Sequence, residues 1–524
     1  MGYSIKFNLN KMNFFSKLII FSTSFSMSAS VYSQDGSLDP TFDNDGIVTT
    51  SIGSGNDHGN TIRIQSDGKI VVAGNSGNNL AIARYNTNGS LDNAFGTGGI
   101  VTTNIGCANA SGSDFIIQLD GKYLIGGYCG IFPSYDFALT RYHINGSIDN
   151  TFGINGTAIT AILNAGDQGL ALAIQNDGKI IQGGYTDNGS NGDFALIRYH
   201  VNGALDTSFD IDGKVITSVG TANDLIRAVA IQDDGKIVVA GYSYTNPSFS
   251  YDFVVARYNI NGSLDNTFGT GGILTTAIIK NTNDYAESIA IQADGKIIVG
   301  GYSYSGQLLL ARYMPNGSLD NTFGTSGTIA TFFGASYQND YSLALQSDGK
   351  ILIGGYSLLN NTNSDFTLAR YTVEGTLDRN FGTNGVISTP IGTMDDIATS
   401  IALQQDGKIV LAGRSHTGIN FDFALVRFNN TITTDLKAFE TKAIELTVQP
   451  NPFSTETMLL SSSTLINATI TLYNSLGNSV KTITNVYGNI VAISRDKLPS
   501  GFYFIQLKQD NEMSLIKKLI ISDN

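Results

Sequence analysis

Between residues 61 and 428 the chain alternates short apolar runs with clusters of Gly, Asn, Asp and Ser. No run holds a helical period for ten or more residues, so the pattern predicts strands joined by tight turns. The stretch after residue 287 shows the unit. Residues 288–292 read as a short strand, Asp294-Gly295 as a hairpin turn, 296–301 as a second strand and 307–313 as a third. Asn316-Gly317 turns the chain again, and residues 327–331 supply a fourth strand.

The unit recurs seven times. Asp-Gly-Lys begins at Asp67, Asp120, Asp177, Asp234, Asp294, Asp348 and Asp406, with a Gln two positions before each. A Leu/Ile-Asp-x-x-Phe motif ends at Phe42, Phe95, Phe152, Phe209, Phe268, Phe323 and Phe381. Arg precedes an aromatic residue at Arg84, Arg141, Arg198, Arg257, Arg312, Arg370 and Arg427. Four short strands per unit of 53 to 60 residues predict one propeller blade each, hence an all-β, seven-bladed propeller over residues 34–428. The repeat begins just before its fourth strand and ends after its third. The N-terminal segment through 46–50 is therefore expected to complete the last blade, which closes the ring and removes two open edges.

Lys11 and Lys17 precede an apolar run and a small-residue site at Val31-Tyr32-Ser33, the layout of a signal peptide over residues 1–33. No later stretch is long and apolar enough to span a bilayer as a helix. Export permits disulfides, and Cys107 and Cys129 are candidates for one local bridge within a single repeat. Of 524 residues, 31 are basic and 44 acidic, a net charge of −13 that argues against nucleic acid as a partner. Residues 429–445 lose the repeat and read as a linker; residues 446–524 alternate again and predict a small Ig-like β-sandwich.

Two resemblances add to this. Ile-Gln-Ala-Asp-Gly-Lys-Ile-Ile-Val-Gly-Gly-Tyr at 291–302 and Asn-Gly-Ser-Leu-Asp-Asn-Thr-Phe-Gly at 261–269 resemble the delta-sixty repeat family, which is assigned to β-propeller-like domains. That resemblance implies a fold and no particular activity. The tail resembles the type A sorting domain of the type IX secretion system of Bacteroidetes. It does so through Pro450-Asn451-Pro452, the turn at Gly477, the Leu-Pro-Ser-Gly-Phe-Tyr segment holding Gly501 and Tyr503, and Lys517-Lys518 before a final apolar strand. It implies contact with the secretion machinery, passage through the periplasm, and release or attachment at the outer surface.

Positions present in every repeat are expected to serve the blade, and function to lie where blades differ. Asp57, Asp167, Asp224, Asp284 and Asp396 each stand eight residues before the repeat Gln, while Asp114 and Asp340 are displaced. Such carboxylates are candidates to ring a channel mouth and hold calcium, or to accept N–H groups of their own loops. The loop after the second strand is aromatic in three blades: Tyr128, Phe132 and Tyr135; Tyr242, Tyr244, Phe249 and Tyr251; Tyr302 and Tyr304. Rings beside Asn, Ser and Gly suit a sugar or a protein surface. His58, His143, His200 and His416 have no metal-site spacing, and no nucleophile elbow or phosphate loop is present. The expected role is a secreted or surface module that binds a glycan or protein. The alternative is a carboxylate-dependent polysaccharide hydrolase or lyase on the propeller face.

Overall fold

The computed structural model describes residues 35–163, 166–245, 250–332, 341–358, 363–430, 446–474, 479–509 and 512–523. The expected leader, most of the linker, Phe249, Asp340 and Gly477 lie outside the described residues. The chain divides into two compact units, Met1–Thr431 and Ile432–Asn524.

The first unit is a seven-bladed propeller. Each blade is a four-stranded antiparallel sheet in chain order, as in Asp224–Ile231, Ile237–Thr245, Ser250–Tyr258 and Ile273–Thr276. The last blade takes its outer strand from the N-terminal segment Ile47–Thr50, which pairs with Phe421–Phe428. The inner strands neighbour one another around the ring, and the seventh meets the first. Core clusters lie between blades: Ile181, Phe194 and Leu196 of one pack on Ile237, Val239 and Tyr258 of the next.

The three repeat landmarks converge on one network. In the fourth blade Asp265 accepts Arg257 at 2.8 Å and Lys236 of the Asp-Gly-Lys turn at 3.1 Å. The Arg257 guanidinium lies 4.5 Å from the Phe268 ring centroid and donates to the Pro315 carbonyl of the following blade at 2.6 Å. The last blade builds the same cluster from Arg427, Lys408, Asp39 and Phe42, so the closing segment brings its own acid and ring. Tyrosines after these arginines add inter-blade bonds, such as Tyr258 Oη to Thr217 Oγ1 at 2.9 Å.

One strand limit differs from the sequence reading. The inner strand of the fifth blade runs Asp284–Ile291 instead of starting at Ser288. An extra residue at Glu287 breaks the alternation there, which hides the first half of the strand from a period-two reading.

The second unit is one curled antiparallel sheet of five strands. Its long strand Glu456–Asn474 pairs with Ser479–Ser494 along one edge and with Leu446–Gln449, then Gly501–Gln509, along the other. Register shifts between Leu460 and Ile470 bend it. The two halves face each other over Leu459, Ile470, Ile493, Ile505 and Leu519, the sandwich core that the alternation predicts.

Candidate functional site

In six blades the inner strand carries a β-bulge, and the extra residue differs every time: Asn60, Ser113, Leu170, Arg227, Glu287 and Thr399. Tyr341 holds the equivalent place in the sixth blade, five residues before the repeat Gln. All seven line a central cavity of about 540 Å³. The bulge also dictates the glycine opposite it. A Cβ on Gly241 would lie 1.9 Å from the Leu225 carbonyl oxygen.

The bulge residues tie neighbouring blades together. Asn60 Nδ2 donates to Gly112 O at 2.8 Å, Thr399 Oγ1 to Gly59 O at 2.6 Å, and Arg227 Nε to Glu287 Oε2 at 2.6 Å. Arg63 and Asp114 form a second channel ion pair at 2.9 Å. The channel wall is thus polar, with two arginine–carboxylate pairs.

Tyrosines crowd one end of the channel. Tyr242 meets Tyr251 at 5.5 Å and Tyr285 of the next blade at 4.8 Å between centroids; Tyr285 meets Tyr302 at 5.0 Å. Tyr302 continues to Tyr341 at 6.3 Å, and Tyr244 packs on Tyr251 at 5.4 Å. These rings are partly exposed, except the buried Tyr341. Arg227 and Glu287 are near enough to act on the hydroxyls of Tyr242 and Tyr302, which burial chiefly pushes up, so both phenols stay protonated. Tyr128 and Tyr135 form a separate pair at 5.1 Å, beside Tyr185, whose hydroxyl is pushed up to about 12 by burial first and then by Tyr128.

Of the aromatic residues expected from sequence, the structure gathers Tyr242, Tyr244, Tyr251 and Tyr302 into one cluster and Tyr128 with Tyr135 into another. Phe132 and Tyr304 are 79% and 53% exposed, with Phe132 projecting from a loop tip. Tyr185, Tyr285, Tyr341, Arg227 and Glu287 were not anticipated. For Tyr341, Arg227 and Glu287 the signal is the fifth position before each repeat Gln, where residue type changes from blade to blade.

At the rim between the last and first blades the tyrosine position is occupied by Arg414. Its guanidinium lies 5.5 Å from the Phe421 ring centroid. His416 and, from the first blade, His58 meet the same ring edge-on at 4.8 and 5.9 Å.

The five aspartates expected to ring a mouth do not converge. Each is fully buried at the start of its own inner strand and accepts two N–H groups of its preceding loop at 2.6–3.2 Å, as Ile278 and Ile279 do on Asp284. A carboxylate that satisfies loop amides stays with its loop, so the blades keep these groups apart. Among the described residues no group of three or more His, Cys, Asp or Glu is placed to hold a metal ion. Each aspartate is near enough to one carboxylate of the preceding blade for their charges to interact: Asp57 with Asp422, Asp167 with Asp136, Asp224 with Asp193, Asp284 with Asp252 and Asp396 with Asp365.

Cys107 and Cys129 are joined in a disulfide, Cα–Cα 5.9 Å. Cys129 pairs with Ala110, the register position where other blades set Ser or Thr against the loop-holding Asp. The disulfide staples a loop that has no such Asp.

In the tail, Asn451 grips the final strand, its Nδ2 donating to Lys518 O at 3.0 Å and its Oδ1 accepting Ile520 N at 2.8 Å. Pro450 O accepts from Thr457 Oγ1 at 2.5 Å, and Pro452 completes the loop. Tyr503 is buried and donates to Pro499 O at 2.8 Å, beside the turn into the strand that begins at Gly501. Lys517 and Lys518 are exposed, Lys518 Nζ lying 4.3 Å from the Phe502 ring centroid. Among the described residues no helix is long and apolar enough to cross a membrane.

Comparison with known families matches residues 65–95, 118–152, 175–209, 232–268, 292–323, 346–381 and 404–431 to a β-propeller domain of unknown function, DUF5122. Residues 447–522 match the secretion system C-terminal sorting domain. No curated protein matches the sequence. Among solved structures, PorZ, a surface component of the type IX secretion system of Porphyromonas gingivalis, is similar at 10% identity and TM-score 0.37, covering 88% of this chain; this chain spans 59% of its length. Virginiamycin B lyase of Staphylococcus aureus is similar at 10% identity and TM-score 0.43, covering 72% of this chain and 98% of its own. A protein of unknown function from Dyadobacter fermentans is similar at 12% identity and TM-score 0.40, covering 74% and 100%.

Proposed function

Since the chain is a DUF5122 β-propeller repeat protein ending in a secretion-system sorting domain, we propose that its propeller is an exported glycan-binding module. The tail itself indicates type IX export to the cell surface or secretion. The observation that carries the binding reading is the cluster of Tyr242, Tyr251, Tyr285 and Tyr302 beside the polar channel. Partly exposed phenols offer apolar faces to pyranose rings and neutral hydroxyls to their oxygens. A cavity of about 540 Å³ has the volume of a small-ligand site.

The carboxylate-hydrolase alternative finds less support. Asp114 and Glu287, the carboxylates lining the channel, are each already engaged by an arginine of the channel wall.

The test is a glycan array probed with the full chain and with Tyr251→Ala. Selective binding by the parent, reduced by about tenfold or more in the variant, is the expected outcome. A blank array for the parent overturns the reading and moves the search to protein partners.

A further inference from the structure

We propose that the rim between the last and first blades holds the acidic group of an anionic saccharide, with Arg414 as its receptor. This rests on the glycan-binding reading and names the ligand class.

Apart from the exposed Arg379, every other described arginine of the propeller touches a carboxylate; Arg63, Arg227 and the seven repeat arginines all do. Arg414 makes no ion pair among the described residues, and its Nε is buried without a hydrogen-bond partner. An unpaired guanidinium is unexpected in a chain of net charge −13. It is also a blade-specific replacement: the second strand carries Tyr128, Tyr185, Tyr242, Tyr302 and Tyr356 at this place, Asn75 in the first blade and Arg414 in the last.

The surroundings hold the group in position. Phe421 supplies a face for the guanidinium, and His58 and His416 pack against the same ring, so the platform bridges two blades. Arg414, Phe421 and His58 are partly exposed, which leaves the fork open to a ligand. Its planar donors match a carboxylate or a sulfate ester. In the ring order this interface lies three interfaces from the Tyr242–Tyr285 contact one way and four the other, so the two sites face each other across the channel mouth. A saccharide chain crossing the mouth meets aromatic faces on one side and a cation on the other.

The probes are polygalacturonate for carboxylates, dextran sulfate for sulfate esters and dextran as the neutral polymer, each titrated against the full chain and Arg414→Gln. Binding to at least one acidic polymer is expected, with about tenfold loss in the variant, weakening with salt and no change toward dextran. Which acidic polymer binds separates the two anions. Because Arg414 makes no ion pair among the described residues, the variant should melt like the parent. Should it fail to fold, Arg414→Lys, which keeps the charge and loses the fork, is expected to bind with intermediate strength. Equal acidic binding by parent and variant, or binding to dextran alone, overturns the inference and leaves the glycan reading standing. Failure of all three polymers together with a blank array overturns both.

Discussion

At the scale of single residues, a repeat uses the same amino acid for the same stereochemical problem. Gly241 stands opposite the bulge because any Cβ there meets a carbonyl oxygen. Gly241→Ala is expected to cost about 3 kcal/mol, read as a lower midpoint in urea unfolding; a midpoint within error of the parent would contradict the assignment. Gly317 solves a different problem, with φ at +95° in the Asn-Gly-Ser turn, a conformation that glycine alone adopts without strain. The tripeptide is therefore turn chemistry: Asn316 Oδ1 accepts both the N–H and the hydroxyl of Ser318.

At the scale of elements, the blades are joined by charge in two opposite ways. In the outer network, burial works against the carboxylates, but Lys, Thr and Arg partners hold them low: Lys408, Thr41 and Arg427 bring Asp39 down to about 2. A depressed acid contributes stability above its unfolded pKa, and that contribution is lost as pH falls from about 4 toward 2. The facing carboxylates between blades behave in reverse. Burial, then the charge of Asp252, leaves Asp284 at about 6 despite the loop amides that favour its ionised form, and burial with Asp57 raises Asp422. A raised acid contributes most below its unfolded pKa and the contribution is lost as pH rises through about 6. The melting temperature is therefore expected to peak near pH 4–5 and to decline on both sides. Asp422→Asn should raise it above pH 6 by on the order of 1 °C and leave it unchanged at pH 4; a flat profile from pH 4 to 8 would count against the pairs. Asn79 and Gln307 occupy the equivalent third-strand positions of the first and fifth blades, and the second blade has Ala110 where its aspartate would stand, so acid and partner are absent together there.

At the scale of the whole molecule, stability depends on closing the ring. Ile47–Thr50 covers the open edge of the last blade, while Asp39 and Phe42 complete the cluster around Arg427. Removing residues 35–50 strips three kinds of contact at one seam and exposes an edge strand. The truncated chain is expected to melt well below the parent and to self-associate in size-exclusion chromatography, whereas Asp265→Asn, which touches one blade's network, should remain monodisperse. Equal behaviour of the two variants would show that the seam is not special.

Much of the architecture was legible in the chain because it repeats. Seven copies of three landmarks define blade number, and the phase of the repeat foretells the closing strand, since an incomplete unit at each end can only complete the other. The sorting tail was legible through its motifs. The candidate site was legible only in part. Tyr242, Tyr251 and Tyr302 stood out as loop aromatics, but Tyr285, Arg227 and Glu287 lie in a strand that the bulge disguises. Sequence also set the five aspartates in one phase and so suggested a shared site, whereas folding turns each onto its own loop amides. A repeat determines by itself what every blade has in common. Which blade-specific side chains meet across the channel is decided only when the ring closes, because residues roughly 170 positions apart, such as Tyr242 and Arg414, come to share one rim through topology and not through any local pattern.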